Sequence, residues 1–480
     1  MIFKLQVVVI ADDGHQETCE IKSVERADLK PETLGLTLAE GKAMLKGIQR
    51  IVIQRQATTC FAPFRQCPDC GSPRTSKGYH DLSLRTVFGC LKVKSPRLLH
   101  HCDCRPHAAK TFSPLADLLP EHTTPELLFL ETKWASLMSY GMTTQLLEDV
   151  LPMDDALNAF TIRSHVLDVA ERLERELGEE QNCFIEGCLR DWNELPAPDG
   201  PLTVGIDGGY VRGHRKQGHF EVIAGKSILA FRRESEEKPE LSGRCFAFVQ
   251  TYDEKPKRRL FELLQSHGMQ PNQQVEFLSD GGEDVRQVQL YLNPEAEHLL
   301  DWFHVAMRLT VLKQIAKGLP ENIGEAEEQY ELRSQVLDDL ESLKWYLWHG
   351  NVFEALQELQ GLELDLDGAT FETKNETAKK LLKNVEELHT YVERNQALIP
   401  NYGERYRNGE RIASGFVESA VNQVVSKRMV KQQQMGWSQR GAHLLLQIRT
   451  RVLNEEWENT FRSWYPAFRP KVGAEVNNAA

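Results

Sequence analysis

The chain lacks any run of about 18 or more apolar residues, the length a membrane-spanning helix needs, so no membrane partner is expected. It has no internal repeat and no low-complexity block, which excludes solenoid and fibrous architectures. Its opening stretch, "MIFKLQVVVIADDGHQETCEIKSVE", has almost no basic leader and no small-residue cleavage site. It therefore reads as a β-strand followed by a turn rather than as a secretory signal, and a cytoplasmic location is expected. An excess of positive charge is also missing: 57 Lys and Arg stand against 70 Asp and Glu, a net charge of −13. Taken globally, that balance argues against a polyanionic partner. Of the ten cysteines, six (Cys19, Cys60, Cys90, Cys183, Cys188, Cys245) show no paired rhythm, which disfavours a disulfide framework and points to a reducing compartment.

What is present is size and patchwork. The 480 residues, 41% of them hydrophobic, suffice for about three domains with sizeable cores. Charge is unevenly spread. Arg85 to Lys110 carries six basic residues against the single acid Asp103, and Glu418 to Arg451 carries six against Glu418 alone. Glu321 to Glu372 is acidic by contrast. Binding depends on where charge sits, so the total is a poor guide.

Pattern changes divide the chain into an N-terminal α/β region (1–60), a cysteine-bearing segment (61–115) and a helical tract (120–195). After the Pro-rich linker "LPAPDGPL" come β-branched and aromatic runs alternating with helical segments (200–319), then a charged helical stretch (320–410). Two further helices (411–465) and a tail expected to be disordered (466–480) close the chain. The strands "LTVGID", "FEVIAGKSILAF" and "RCFAFVQTY" precede a helix, the strand "QVEFLSD", the helix "EDVRQVQLYL", the strand "AEHLLDWF" and a helix from His304. By analogy this is the order of an RNase H-like mixed sheet. The expected fold is multidomain α+β: an RNase H-like catalytic domain with a helical insertion, preceded by a zinc ribbon and a helix-turn-helix-like region.

Two apolar runs end in a carboxylate followed by glycines, "VGIDGGYV" at Asp207 and "FLSDGGEDVR" at Asp280. A strand stopping on an acid beside small residues puts the carboxylate at a sheet edge with room for a charged ligand. Each Asp-Gly alone is most simply a turn. The two together, at the ends of neighbouring strands with no lysine between them, repel unless a proton or dication intervenes. Hard oxygen ligands suit Mg²⁺ or Mn²⁺, and a third acid would complete a two-metal site. Glu418 is a candidate, with Lys427, Arg428 and Lys431 following on its helix; Glu283, Asp284 and Glu410 compete.

Cys67-x₂-Cys70 in "CPDCG" and Cys102-x-Cys104 in "HCDCRPH" have zinc-knuckle spacing, with His100, His101 and His107 as possible substitutes. The hairpin between the two pairs carries alternating basic residues that can meet phosphates. In the helical tract, "ELLFLETKWASLMSY", "MTTQLLEDVL" and a helix from about Phe160 read either as a helix-turn-helix or as a helical linker. In the first reading Arg163, Ser164 and His165 sit where a recognition helix meets base edges.

Four motifs in order, "GIDGGYVR", "FLSDGGEDVR", "LLDWFHVAMRL" and "ESAVNQVVSKRM…MGWSQRGAHLLLQIRTR", resemble those of DDE transposases from bacterial insertion sequences, notably the Kra-four group and more distantly Mutator-type enzymes. The resemblance covers most of Cys67 to Arg451. It implies Asp207, Asp280 and Glu418 as a Mg²⁺-binding catalytic triad for DNA strand cleavage at element ends and strand transfer to target DNA. Asp301-Trp-Phe-His304 matches the family's C/D-x-x-H signature, giving Asp301 and His304 a supporting role, and the stretch before Glu418 fits a helical insertion. Arg212, Lys427, Arg428 and Lys431 are then candidates for DNA contact, and Trp437 for base stacking or core packing. The partners implied are terminal inverted repeats and target DNA, held by a homo-oligomer. The rival readings are a domesticated, non-catalytic DNA-binding protein and an RNase H-like nuclease without strand transfer.

Overall fold

The computed structural model describes the chain except residues 12, 28, 100–103, 105–110, 120, 154–156, 182–183, 185–188, 197, 199–200, 215–217, 230–242, 283–295, 322–330, 374, 432–434 and 470–480. The expected helix "EDVRQVQLYL", residues 470–480 of the tail expected to be disordered from 466, and Cys102 with His100, His101 and His107 fall outside the described residues, whereas Phe468 of that tail is described and buried. The protein is mixed α and β, with three separate sheets among the described residues. It divides into two compact units, Met1–Arg172 with Glu455–Ala480, and Leu173–Asn454. No helix among the described residues is long and apolar enough to cross a membrane.

In the first unit, β1 (Ile2–Ile10) and β2 (Gln16–Glu25) form an antiparallel hairpin. Helix α1 (Leu38–Cys60) starts at a capping box, in which the Thr37 side chain accepts from the Glu40 N–H and the Glu40 carboxylate accepts from the Thr37 N–H. Arg26 reinforces it with a 2.6 Å ion pair to Glu40. Strands β3 (Thr75–Thr86), β4 (Gly89–Leu99) and β5 (Thr111–Phe112) make a second antiparallel sheet. Alternate residues Leu82, Leu84, Leu91 and Val93 of this sheet are buried against Ile53 and Ala57 of α1 and against Leu115 of α2 (Pro114–Leu118).

The helical tract resolves into α3 (Pro125–Leu137), α4 (Tyr140–Val150) and α5 (Ala159–Glu176). A C-terminal helix, Trp457–Trp464, returns to this unit, where Phe461 and Phe468 pack on Phe129 at ring-centroid distances of 5.3 Å. Glu455–Ala480 thus belongs to the first compact unit.

The second unit is built on a five-stranded sheet. After α6 (Leu189–Asn193), strands β6 (Leu202–Arg212), β7 (His219–Leu229) and β8 (Arg244–Val249) form an antiparallel meander. Helix α7 (Pro256–Ser266) then leads to β9 (Val275–Ser279), parallel to β6, and β10 (Glu297–Leu300), parallel to β9. The strand order is β10-β9-β6-β7-β8. Val204 and Ile206 point to one face and form a core with Phe246, Phe248, Phe277 and the α7 residues Leu260 and Leu264.

Helices α8 (Trp302–Ala316), α9 (Leu332–Trp348), α10 (Val352–Thr373) and α11 (Glu376–Asn395) share a separate leucine-rich core. Their buried residues recur every three or four positions, as in Leu332, Val336, Leu340, Leu343 and Leu347. After α12 (Tyr402–Arg407), helix α13 (Gly415–Val421) runs into a π-helix, Asn422–Val430, and α14 (Gln439–Leu453) follows.

Two expected boundaries change. Strand β6 does not stop at Asp207; it continues through both glycines to Arg212, hydrogen-bonded to β7 along its length. The strand expected over "AEHLLDWF" ends at Leu300, because the Asp301 side chain caps α8 by accepting from the Phe303 N–H at 2.9 Å.

Candidate functional site: an acidic cluster on the central sheet

Side chains alternate across a strand, so Gly205, Asp207 and Gly209 lie on the face opposite Val204 and Ile206. The glycines there answer to a packing demand. A Cβ at Gly205 would sit 1.9 Å from Val417 Cγ2, and one at Gly209 3.2 Å from Val421 Cγ1. Both contacts come from α13, which lies directly on the backbone of β6 and brings Glu418 to the face that carries Asp207.

The second acid is set by strand register. Strand β9 pairs in parallel with β6 from Leu202↔Val275 to Gly205↔Leu278. Continuing that register two residues sets Asp207 level with Asp280, just beyond the last paired positions. Asp207 therefore lies within β6 but past the end of its β9 neighbour. Asp280 caps its own turn, its carboxylate accepting from the Gly282 N–H at 3.0 Å. Gly281 adopts φ +82°, a conformation that suits glycine.

Electrostatics couple these acids. Burial pushes the Asp207 carboxyl above its ordinary value; a 2.8 Å hydrogen bond from the Gly208 N–H and the nearby His304 oppose this, while the charges of Asp280 and Asp301 add to it. Burial likewise raises the Glu418 carboxyl, again opposed by His304 and reinforced by Asp207 and Asp301. Burial is the larger cause for each carboxylate, and the neighbouring acids add to it.

Asp301 is fully buried and held by three donors: the Phe303 N–H at 2.9 Å, the Ser414 N–H at 3.0 Å and the Ser414 hydroxyl. His304 Nε2 lies 3.6 Å from Asp301 Oδ2. Helix α11 reaches the same place, with the Tyr391 hydroxyl donating to the Asp280 carbonyl at 2.9 Å. The space a Gly281 Cβ would take is occupied by Asn395 Oδ1, at 2.3 Å. Sequence reasoning did not find Ser414, Tyr391 or Asn395, since nothing in their local pattern separates a capping or helix-face residue from a site residue.

Among the described residues, the groups whose ligand atoms all fall within 4.8 Å of one another are Cys67–Cys70–Cys104 and Glu174–Asp253–His443. Asp207, Asp280 and Glu418 are spread more widely than that. One ion bound by all three at once needs a closer approach than this.

The cysteine trio can hold zinc. The Cys67 N–H donates to the Ser72 carbonyl and the Gly71 N–H to the Cys67 carbonyl, both at 2.9 Å, closing a tight turn in which Gly71 has φ +71°. Cys104 comes from beyond β4, so the trio joins both ends of the β3–β4 hairpin. The Glu174–Asp253–His443 group already has its cation, because the Arg259 guanidinium bonds Glu174 at 2.9 Å and Asp253 at 3.0 Å in a buried network.

The candidate DNA contacts divide by exposure. Arg163, Arg212, Lys427 and Lys431 are exposed, and Ser164 is half-buried, 3.5 Å from Asp168. Arg428 and His165 are corrected by the structure, and Trp437 takes the core-packing alternative. Arg428 is fully buried with its guanidinium 5.0 Å from the centre of the Trp437 ring, and Trp437 is itself buried, so the two pack on each other. His165 is buried against Glu131 and Thr123. A helix places residues on all its faces, and composition near an N-terminus does not say which face is covered.

No family model matches the chain, and no curated protein matches it either.

Proposed function

We propose that the second unit is the catalytic domain of a DDE transposase, which cleaves DNA at element ends and joins the freed 3′ end to target DNA. The observation that carries the reading is the coupling of Asp207 to Asp280 and of Glu418 to Asp207 on the central sheet. The antiparallel meander followed by two parallel strands on the β6 side supports an RNase H-like architecture for this domain. The helical region between β10 and α13 matches the insertion expected before the final glutamate.

The residues fit a hard divalent cation: oxygen donors, partly buried, with Asp207 repelled by Asp280 and Glu418 by Asp207, and His304 as the basic group acting on them. Bound there, a pair of Mg²⁺ or Mn²⁺ ions would activate the attacking oxygen and stabilise the leaving one. The chain's own share is positional. Strand β6 fixes Asp207, the β9 terminus presents Asp280, and α13 carries Glu418. Asp301 and Ser414 fix the start of α13 relative to α8. Exposed Arg212, Lys427 and Lys431 lie on the adjoining segments, suited to phosphate contact. Cys67, Cys70 and Cys104, with Cys102 as fourth ligand, would hold a structural Zn²⁺.

The test uses purified protein, Mg²⁺ and duplex DNA bearing the ends that flank the coding region. The wild type is expected to cut and join, with loss of about three orders of magnitude or more in Asp207→Ala, Asp280→Ala and Glu418→Gln. Cleavage that survives in Asp207→Ala and Asp280→Ala overturns the reading. Cutting without joined product on a target plasmid assigns the domain to a nuclease instead.

A further inference from the structure

The N-terminal hairpin leaves one long strand edge open. Among the described residues β1 pairs with β2 alone, in a sheet of two strands. At one end of β1, Met1 exchanges hydrogen bonds with Arg26; just past the other, the Ala11 N–H donates to His15. Antiparallel pairing alternates, so the odd residues between them face β2. The irregularity in register is an extra residue on β2 and leaves this alternation intact along β1. Ile2, Lys4, Gln6, Val8 and Ile10 therefore direct their N–H and C=O groups outward, and their side chains are exposed.

The two strands are unlike in charge. Strand β2 carries Glu17, Glu20, Lys22 and Glu25, the kind of charged edge that discourages pairing. Strand β1, "IFKLQVVVI", has Lys4 as its one ionisable side chain. It is also close to palindromic in polarity about Gln6: Leu5 mirrors Val7, Phe3 mirrors Val9 and Ile2 mirrors Ile10.

We propose that β1 is a homotypic docking strand, pairing antiparallel with β1 of a second copy about a two-fold axis at Gln6. That register overlaps all nine residues of the strand. It sets outward-facing residues opposite outward-facing residues and forms about ten main-chain hydrogen bonds. Lys4 meets Val8 of the second copy rather than its own equivalent, so no like charges oppose. Two hairpins become one four-stranded sheet, and the open edges that remain are the charged β2 strands. Sliding one strand four residues one way would bring Lys4 opposite Lys4 and shorten the overlap.

The inference stands apart from the catalytic reading, and its test needs no activity. Full-length wild type, Gln6→Glu and Gln6→Lys are compared by light scattering and sedimentation across a concentration series, with circular dichroism confirming that the exposed substitutions leave the fold unchanged. The wild type is expected to be dimeric. Each variant alone sets two like charges side by side and should weaken association at least tenfold, and an equimolar mixture of the two should restore a dimer containing one of each. A wild type that is monomeric throughout, a Gln6→Glu protein that associates as tightly as wild type, or a mixture that fails to recover overturns the proposal.

Discussion

Ser414 donates both its main-chain N–H, at 3.0 Å, and its hydroxyl to the carboxylate of Asp301, a residue 113 positions earlier in the chain. The Trp302 N–H crosses the same junction to the Ile412 carbonyl at 3.0 Å. These bonds close the chain back on itself after the helical region and set where α13 begins.

Removing the Ser414 hydroxyl deprives a fully buried carboxylate of one donor, which costs about 1–3 kcal/mol. Ser414→Ala should show that loss in urea unfolding, and strand cleavage should fall further than stability does, because Glu418 lies one helical turn beyond. Ser414→Thr, which keeps the hydroxyl, should recover part of both.

A second prediction concerns the close approach of α13 to β6. Gly205→Ala forces its new methyl into Val417 Cγ2, and overpacking of this kind costs about 1–3 kcal/mol. Val417→Ala opens the same space. The double variant Gly205→Ala/Val417→Ala should therefore be more stable in urea than the Gly205→Ala single variant.

The acid cluster predicts a pH-dependent response to divalent ions. Burial raises the Asp207 and Glu418 carboxyls from their ordinary values in the fold, so they oppose folding as pH rises from the ordinary value through the raised one and both must ionise. Without metal, stability should decline across that interval; Mg²⁺ should offset the decline above it and have no effect below it, where protons occupy the carboxylates. Asp207→Asn should raise metal-free stability at neutral pH and reduce the shift with Mg²⁺. Thermal melts with and without Mg²⁺ from pH 4 to 8 read all of these.

The network about Arg259 gives the opposite sign. Burial would push the Glu174 carboxyl up, but hydrogen bonding from His443 and the Arg259 charge outweigh it and hold it at about 2. Its contribution to stability is whole above about 4.5 and is lost as pH falls toward 2. Arg259→Met strands Glu174 and Asp253 without their cation, at a cost of about 3–5 kcal/mol, and should flatten acid unfolding in that window.

Metal analysis checks the ribbon. The purified protein should carry one equivalent of zinc, and Cys67→Ser should release it. Proteolysis within the β3–β4 region should then accelerate, because a knuckle without metal loses its cross-link.

Legibility in the sequence followed the range of the signal. The hydrophobic period placed α1 and the three helices after Pro125, and β-branched runs placed the strands of the central sheet in order, because those signals are local. Asp207 and Asp280 stood out as acids among apolar neighbours. The meaning of the adjacent glycines was misjudged: they looked like the end of a strand, whereas β6 continues and Gly205 and Gly209 exist for α13, a segment more than 200 residues away. Ser414 and Tyr391 were invisible for the same reason, since each acts on a residue more than 100 positions distant. Arg428 looked like a surface group until the fold buried it against Trp437, for which core packing was one of the two readings.

The bond from the Tyr391 hydroxyl to the Asp280 carbonyl gives α11 mechanical purchase on one acid but not on its partner. Asp207 is fixed in the middle of a long ladder, while Asp280 hangs from the end of a short strand and is steadied by a helix of the inserted bundle. A tilt of the bundle would therefore reach the Asp280 end of the pair first.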